Sequence, residues 1–148
     1  MPSSPDSTAI SVLSEILVLD QIARGRLAKV LPKGMELSHF SVLNHLAHVN
    51  SERSPAELAR VFNVTRGAMT NTLGKLEAAG HVHIRPDWDD ARRKFVSISA
   101  SGRMARDSAL QAAGPVLSEL GSAVNADSLK ETLSVLRDMR RALMLGAK

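Results

Sequence analysis

Three aspartates and three cations lie within eight consecutive residues just past the middle of the chain, around its single tryptophan. In chain order they are Asp87, Asp89, Asp90, Arg92, Arg93 and Lys94. Clustered carboxylates are the residue types that bind metal ions or act as an acid/base pair. Adjacent arginines and lysines are the residue types that neutralise the phosphates of nucleic acids. The element that carries this run therefore decides which chemistry is available.

The charged run connects two short segments in which apolar and polar residues alternate. The segments HVHI at 81–84 and FVSIS at 95–99 repeat every two residues, which is typical of β-strands. The connection RPDWDDARRK is then the tip of a hairpin, and long charged loops of this kind usually project into solvent. Nothing excludes water there, and the chain has neither a phosphate-binding glycine motif nor a nucleophile elbow. We therefore expect no catalytic residues, no enzyme activity and no cofactor.

Histidines offer a second possible metal chemistry. His45 and His48 are three residues apart on a predicted helix, and His81 and His83 share one face of a predicted strand close to the aspartates. Metal sites in proteins use a ligand set at defined spacing, and this sequence shows none. We predict no metal site.

The composition limits the classes of protein that remain. The chain has 148 residues and no cysteine, which excludes disulfides, thiolate metal sites and thiol redox switches. No segment approaches the roughly 20 apolar residues of a membrane span, and the N-terminus lacks a basic signal region. We expect a soluble cytoplasmic protein that does not enter a membrane.

Positive charge is concentrated in the middle of the chain. Residues 53–106 hold ten Lys and Arg against five Asp and Glu, whereas the rest of the chain holds nine against ten. The formal net charge of +4 therefore arises in the middle segment. This distribution favours a polyanionic partner.

Two short helices joined by a tight turn precede the predicted hairpin. In SPAELARVF, Ser54 is a predicted N-cap, Pro55 occupies the first helical position and Glu57 completes a capping box. Asn63 suits a tight turn, and Thr65 is the predicted cap of the next helix, which ends at a glycine. This arrangement is typical of a helix-turn-helix, and a helix-turn-helix followed by a charged hairpin indicates a winged helix.

The packing of the second helix predicts which of its sides is exposed. Met69, Leu73 and Leu76 are spaced to face the core. The opposite face carries short polar groups and cations that suit the major groove of DNA, namely Arg66, Gly67, Thr70, Asn71 and Lys75. Taken alone, such a face could be merely solvated. Within a helix-turn-helix it predicts contact with bases or phosphates, and Thr65 at the start of this helix is predicted to contact DNA as well.

The cations of the hairpin tip gain the same interpretation from this context. Arg92, Arg93 and Lys94 could be ordinary surface charges, but after a helix-turn-helix we expect them to contact phosphates and the minor groove. Carboxylates beside DNA would repel it. We therefore expect Asp87 and Asp90 to brace the arginines through local ion pairs, which fix the direction of a side chain more than they add stability.

Long amphipathic helices flank this region. The segment from Thr8 to Leu31 and the segment SLKETLSVLRDMRRALML each carry an apolar stripe at helical spacing. One compact domain has little need for such helices at both ends, so we expect them to pack against a second copy of the chain. Residues 1–34 and 101–148 are the predicted dimerisation helices, interwoven with a winged helix-turn-helix lobe at 35–100. The predicted fold class is mostly α with a small β wing.

These motifs resemble those of a known family. The wing signature of the MarR (multiple antibiotic resistance regulator) family is similar to the run Arg85, Asp87, Asp90, Arg92, Val96, Ile98, Ser99 and Gly102. The segment SPAELARVFNVTRGAMTNTLGKLEAAGHV resembles the family's helix-turn-helix, and with the flanking helices the resemblance covers nearly the whole chain. It implies a homodimeric transcriptional regulator, usually a repressor, which binds a pseudo-palindromic operator in double-stranded DNA and is often released by a small-molecule effector.

The resemblance also implies roles for individual residues. The helix that begins at Thr65 is the recognition helix, Arg92 reaches a minor groove, and Asp90 helps to hold that arginine. Effectors of the family commonly lie between the dimerisation helices and the winged-helix lobe. The residues considered for that region of this chain are Arg24, His39 and His45.

Four residues depart from the family pattern. Asn71 stands where arginine is common, His39 where glutamine is common, His81 where an aliphatic residue is common, and Ser99 where threonine is usual. Because Asn71 lies on the predicted recognition face, no operator sequence carries over from the family.

A second function is a winged-helix module that binds another protein without specific DNA binding, because a fold does not dictate its use. The predicted recognition face argues against this alternative, since it lacks the aromatic and aliphatic anchors of protein interfaces. Only Trp88 favours it. We expect the ring of Trp88 to pack on the base of the wing, with contact to DNA or to a partner as the alternative.

Overall fold

The computed structural model describes the backbone of residues 3–146 and the side chains of residues 7–146. Within this range the chain forms six helices and one two-stranded sheet. In chain order the elements are α1 (Ser3–Val30), α2 (Leu37–Val49), α3 (Pro55–Phe62), α4 (Arg66–Ala78), β1 (Val82–Pro86), β2 (Lys94–Ile98), α5 (Ala100–Ser122) and α6 (Ala126–Gly146). The predicted fold class, mostly α with a small β wing after a helix-turn-helix, is confirmed.

The chain divides into two compact units, and the boundary falls within α5. The first unit ends at Ala112 and includes α1 to β2 with the first half of α5. The second unit begins at Ala113 and includes the rest of α5 with α6. The predicted division into dimerisation helices and a DNA-binding lobe refers to a dimer and stays a prediction.

An apolar core joins α2, α3, α4 and the sheet in the first unit. Its buried members are Val42, Leu43, Leu46, Leu58, Ala59, Met69, Leu73, Leu76, Val82 and Val96. Burying one leucine contributes about 1.5–3 kcal/mol, so the leucines of α2, α3 and α4 together hold the helix-turn-helix against the sheet. The inward spacing predicted for Met69, Leu73 and Leu76 is confirmed.

The N-cap of α3 and the turn between α3 and α4 have the geometry that their residue types predict. The Ser54 hydroxyl accepts a hydrogen bond from the Glu57 N–H at 3.1 Å, and the Glu57 carboxylate accepts one from the Ser54 N–H at 3.1 Å. Asn63 adopts φ 51°, in the left-handed region. The Thr65 hydroxyl then accepts from the Ala68 N–H at 3.1 Å and caps α4.

The residue types suggest Ser38 as the N-cap of the second helix and Asp127 as the cap of the last helix, and both predictions are wrong. The N-cap of α2 is Glu36 rather than Ser38, because the helix already begins at Leu37 and the His39 ring accepts a hydrogen bond from the Glu36 N–H at 3.2 Å. At α6 the side-chain oxygen of Asn125 accepts from the Ser128 N–H at 2.8 Å, where the sequence suggested Asp127. In both cases the first helical turn begins before the predicted cap, which is therefore inside the helix.

The hairpin predicted after α4 is confirmed as an antiparallel pair that runs from Val82 opposite Ile98 to Pro86 opposite Lys94. The strands extend toward the tip, so the connection is residues 87–93, shorter than the predicted ten-residue loop. On the other side of β2, Arg53 forms a single bridge with Val96, with hydrogen bonds of 3.0 and 2.8 Å. The base of the wing is thereby attached to the segment that precedes α3.

The first turn of α5 lies against the start of β1. A Cβ atom added to Gly102 would overlap the His81 carbonyl oxygen, so only glycine fits. The Ser99 hydroxyl donates to the Gly80 carbonyl oxygen at 2.6 Å and accepts from the Gly102 N–H at 2.9 Å. This arrangement fixes α5 to the wing.

Both terminal helices leave large apolar side chains exposed. On α1 these include Ile10, Leu13, Leu17, Val18, Leu19 and Ile22. On α6 they include Leu129, Leu133, Leu136, Met139, Leu143 and Leu145. Among the described residues no helix is long and apolar enough to cross a membrane.

Candidate nucleic-acid interface

The exposed side of α4 is polar throughout its first three turns. Because Met69, Leu73 and Leu76 are buried, the other side of the helix faces outward. The structure places all the residues predicted for this side on the surface, namely Thr65, Arg66, Gly67, Thr70, Asn71 and Lys75. Guanidinium and amide groups on an exposed helix can form bidentate hydrogen bonds with guanine and adenine in a major groove.

The tip of the wing brings the predicted bracing residues and cations together. The Arg92 guanidinium donates to the Asp90 carboxylate from Nε at 3.0 Å and from Nη2 at 3.2 Å, and the Arg92 N–H also donates to this carboxylate at 3.0 Å. These bonds lower the pKa of Asp90 below its usual value. The Arg92 side chain is still 90% exposed, so pairing directs it without covering it.

Asp87 closes the other half of the tip. Its N–H donates to the Arg93 carbonyl oxygen at 3.0 Å, and its carboxylate accepts from the Asp89 N–H at 2.9 Å. The same carboxylate lies 3.9 Å from Nε of Arg93. Lys94, at the start of β2, is exposed. The three predicted cations are therefore exposed at the tip of the wing, and the Asp87 and Asp90 carboxylates beside them are less exposed.

Sequence reasoning missed Glu52, which anchors the wing. Arg85 of β1 forms a two-point ion pair with Glu52, whose carboxylate oxygens are 2.7 and 2.8 Å from the guanidinium nitrogens. The hydrogen bond from Arg85 lowers the pKa of Glu52 and raises that of Arg85. Glu52 gave no local signal, because it lies 33 residues from its partner and meets it only through the bridge between Arg53 and Val96.

The prediction for Trp88 is wrong. The residue is 80% exposed, so its ring does not pack into the base of the wing. That space is occupied by Phe95, which has the Arg85 guanidinium 4.9 Å from its ring centroid and the Arg93 guanidinium at 5.8 Å. The Trp88 ring lies outside this stack, 5.9 Å from the Arg85 guanidinium.

A cavity of about 590 Å³ lies in the first unit beside the loop between α1 and α2. Its polar lining residues include Lys33, His39, Lys75, His81 and Ser108. His39 is buried, and its Nδ1 atom accepts the Glu36 N–H, which places the ring hydrogen of the neutral form on Nε2. Within the described part of the chain Nε2 has no hydrogen-bond partner, and the Glu36 carboxylate is 3.8 Å from it.

The three residues considered for an effector are not brought together. Arg24 is exposed on α1 and pairs with Asp20 at 3.0 Å. His45 packs its ring edge-on against Phe62 at 5.6 Å, and burial is the main cause that lowers its pKa. Of the three, only His39 lines the cavity. Across residues 7–146, whose side chains the structure describes, no three His, Asp or Glu side chains are grouped in a way that could hold a metal ion.

Known proteins are similar to this chain in sequence and in fold. A sequence model of the MarR family matches residues 33–93, from the loop after α1 to the tip of the wing. The transcriptional activatory protein BadR of Rhodopseudomonas palustris is 29% identical over 116 residues, which cover 74% of this chain. They cover 66% of BadR, so the chain spans just under two thirds of this relative.

Solved structures show the same fold. A mutant of MarR from E. coli, complexed with operator DNA, has a TM-score of 0.74 at 25% identity, covering 89% of this chain and 95% of that one. The transcriptional regulator BldR from Sulfolobus solfataricus has a TM-score of 0.73 at 26% identity, covering 94% of this chain and 99% of that one. The helix-turn-helix and the wing of this chain thus match the MarR family model over residues 33–93, and its fold is that of solved winged-helix transcriptional regulators.

Proposed function

We propose that the protein is a sequence-specific regulator that binds a pseudo-palindromic operator in double-stranded DNA as a homodimer. The observation that carries this proposal is the exposed polar side of α4 together with the solvent-facing cations of the wing. One unit thus presents groups for a major groove and for a minor groove. The E. coli MarR structure, a complex with operator DNA, supports the same use of this fold.

Each side chain has a role in this proposal. Arg66, Thr70 and Asn71 contact base edges, while Gly67 lets the helix approach the duplex. Thr65 and Lys75, near the two ends of the recognition helix, contact phosphates, as do Arg93 and Lys94 of the wing. Arg92 enters the minor groove, and Asp90 and Asp87 hold the wing arginines in direction.

Dimerisation provides the second half-site. The exposed apolar side chains of α1 and of α6 form surfaces that a soluble monomer rarely tolerates, so a second copy is their proposed cover. Two recognition helices then lie about 34 Å apart, one turn of the duplex. With DNA as its target, the protein is proposed to act in the cytoplasm.

Repression is the proposed direction of regulation, because a dimer that occupies an operator blocks the transcription machinery. Activation is the second candidate, and the name of BadR as a transcriptional activatory protein favours it. Transcription of a reporter downstream of the recovered operator, with and without the protein, distinguishes the two.

The cavity beside His39 is the proposed site of a small-molecule effector. Its volume of about 590 Å³ lies within the range of about 300–1,000 Å³ that is usual for small-molecule sites. An effector that binds better to a dimer with the wrong spacing of recognition helices would release DNA, since only differential affinity shifts such an equilibrium. Arg24 and His45 do not line this cavity, so His39 is the only one of the three residues predicted for an effector that belongs to the proposed site.

The protein-interaction module remains the competing function. It has less support because the exposed side of α4 lacks aromatic and aliphatic anchors. Binding of the purified full chain to random and genomic duplexes over a salt series tests both. We expect selection of a pseudo-palindrome and a steep salt slope that flattens in Arg92→Ala but not in the control Lys29→Ala. Absence of binding at low salt by a folded, ligand-free dimer favours the module.

A further inference from the structure

The tip of the wing presents one large apolar group, the indole of Trp88. It lies on the same loop as Arg92, and both side chains are largely in solvent. The Asp87 and Asp90 side chains are only 14% and 31% exposed, since they accept hydrogen bonds from the loop itself. Asp89 is the acidic residue of the tip that remains exposed. The outer edge of the loop is therefore an aromatic ring beside a guanidinium.

Hydrogen bonds within the loop constrain this edge. Backbone hydrogen bonds from the Asp87 N–H to the Arg93 carbonyl at 3.0 Å, and from the Arg93 N–H to the Asp90 carbonyl at 2.9 Å, close the tip on itself. One side of the indole faces the Arg85 guanidinium, which Glu52 fixes by its two-point ion pair. An aromatic side chain held in this way loses little conformational entropy when a partner covers it.

The surroundings of the indole decide which partner fits. Tryptophans that anchor protein interfaces usually lie near the centre of a well-packed patch from which water is excluded. Between residues 87 and 93 Trp88 is the only exposed large hydrophobic side chain, and its neighbours Arg92, Arg93 and Lys94 are cations. A partner must therefore offer an apolar surface bordered closely by anions. The floor and walls of a DNA minor groove, with deoxyribose rings between two rows of phosphates, have this character.

We propose that Trp88 packs against the deoxyribose walls of the minor groove beside Arg92, and that it gives the wing a contribution to DNA affinity that does not depend on salt. The proposal rests on the proposed function, because it assumes that the wing meets DNA. Trp88 adds an apolar contact with DNA to the wing, whose other proposed contacts are ionic. Neutralising phosphates releases counterions and makes binding weaker as salt rises, whereas burial of an indole releases none.

The chain reports on this contact directly. Trp88 is its single tryptophan and it has no tyrosine, so tryptophan fluorescence of the full chain arises from the tip of the wing alone. The duplex recovered by selection, labelled with a dye, gives affinity by anisotropy, and the emission of Trp88 and its quenching by acrylamide give the exposure of the indole. We expect the emission to change and the quenching to fall when the duplex is bound.

Variants separate the apolar contact from the ionic one. We expect Trp88→Ala to weaken binding at least about tenfold, because the apolar surface of the indole in each wing no longer leaves water, with the salt slope unchanged. Trp88→Phe should recover part of the affinity. Arg92→Ala is the matched control on the same loop and should lower the salt slope by about 0.9 for each phosphate that it leaves without a cation. Circular dichroism confirms that each variant is folded.

The outcomes are distinguishable. If the wild type binds the duplex but acrylamide still reaches Trp88 equally, or if Trp88→Ala binds as tightly as the wild type, this proposal is wrong while the proposed function stands. If Trp88 becomes shielded as protein concentration rises without DNA, its partner is a second copy and the proposal is also wrong. If anisotropy shows no binding at low salt, the proposed function itself fails.

Discussion

Pairing among the charges of the wing decides which of them are free to meet DNA. Asp90 accepts three hydrogen bonds from Arg92, yet the arginine remains almost fully exposed. Surface ion pairs of this kind add little to stability. Their effect is instead to limit the directions that a long side chain samples, which lowers the entropic cost of binding.

Asp90→Asn tests this bracing role against simple electrostatics. Removing a negative charge near DNA should tighten binding by charge alone, whereas loss of the brace should weaken it. We expect Asp90→Asn to bind the operator about threefold or more weakly. Asp89→Asn removes the same charge from the same loop, where the described residues show no arginine bonded to that carboxylate, and should bind slightly more tightly. Tighter binding by both variants would show that Asp90 is not a brace.

The pair between Glu52 and Arg85 gives a prediction for pH. The hydrogen bond from Arg85 holds the pKa of Glu52 below its usual value of 4.5. A carboxyl group with a depressed folded pKa stabilises the fold above its unfolded pKa, and this contribution is lost as pH falls through the folded pKa. We expect urea unfolding to show the wild type as more stable than Glu52→Gln near neutral pH. The difference should disappear well below about pH 4.

The same substitution in an Arg85→Gln background is the control for that measurement. With the partner absent, Glu52→Gln should have little effect on the urea midpoint at any pH. A difference between wild type and Glu52→Gln that stays constant down to acidic pH would rule out the ion pair as its origin.

At the residue scale, short-range features could be predicted and long-range ones could not. The pairing of Asp90 with Arg92 follows from two residues that are close in the chain. The pairing of Glu52 with Arg85, and the exposure of Trp88 once Phe95 and Arg85 fill the base of the wing, depend on which segments the fold brings side by side. No local pattern encodes that arrangement.

At the scale of elements, the junction between the wing and α5 is the tightest backbone approach at any glycine. A methyl group at Gly102 would overlap the carbonyl of His81 and lie 2.9 Å from the Ile98 side chain. Gly74 in the middle of α4 is the opposite case, because a Cβ there would meet nothing within 4 Å. The effects of replacing glycine by alanine at these two positions can therefore be compared directly.

We expect Gly102→Ala to destabilise the protein by about 1–3 kcal/mol, the usual cost of forcing extra atoms into a packed site. Gly74→Ala should stabilise it by up to about 1 kcal/mol, because alanine loses less entropy than glycine within a helix. Urea unfolding followed by circular dichroism measures both. Equal stability of Gly102→Ala and the wild type would show that α5 moves away from β1 at little cost.

The start of the helix-turn-helix was the part of the fold most open to prediction. A serine cap, a proline and a glutamate at fixed spacing satisfy the first N–H groups of α3 within four residues, so the local sequence is enough. The caps of α2 and α6 were mispredicted because those helices begin earlier than their serine and aspartate suggested. A residue type that suits a cap does not by itself mark where a helix begins.

At the scale of the whole molecule, the terminal helices leave many large apolar side chains exposed to solvent. Along α6 no described residue is buried, although leucines and a methionine follow one another at helical spacing. A free helix of this kind is marginal in water, and most helical stability comes from packing of an apolar face. The stability of α6 is therefore expected to depend on association of two chains.

Leu133→Glu tests this dependence, because it places a charge in the apolar stripe of α6. We expect the variant to sediment as a monomer at concentrations where the wild type is a dimer, and to bind the operator at least about a hundredfold more weakly because half-sites are no longer linked. Lys130→Glu, one turn away and outside the stripe, is the control. A monomeric variant that keeps the affinity of the wild type would contradict operator binding by a dimer.

The attachment of the wing to the segment before α3 has a consequence for the operator. Arg53 pairs with β2 through its backbone and Glu52 pairs with β1 through its side chain, and α3 begins two residues later. Because α3 shares a core with α4 and the sheet, we expect α4 and the wing of one protomer to keep a fixed separation. One base pair inserted between the contacts of a single protomer lengthens the DNA between them by about 3.4 Å, and a fixed separation cannot adjust to this change. A base pair inserted between half-sites falls on the dimer instead, so the two insertions should differ in their effect.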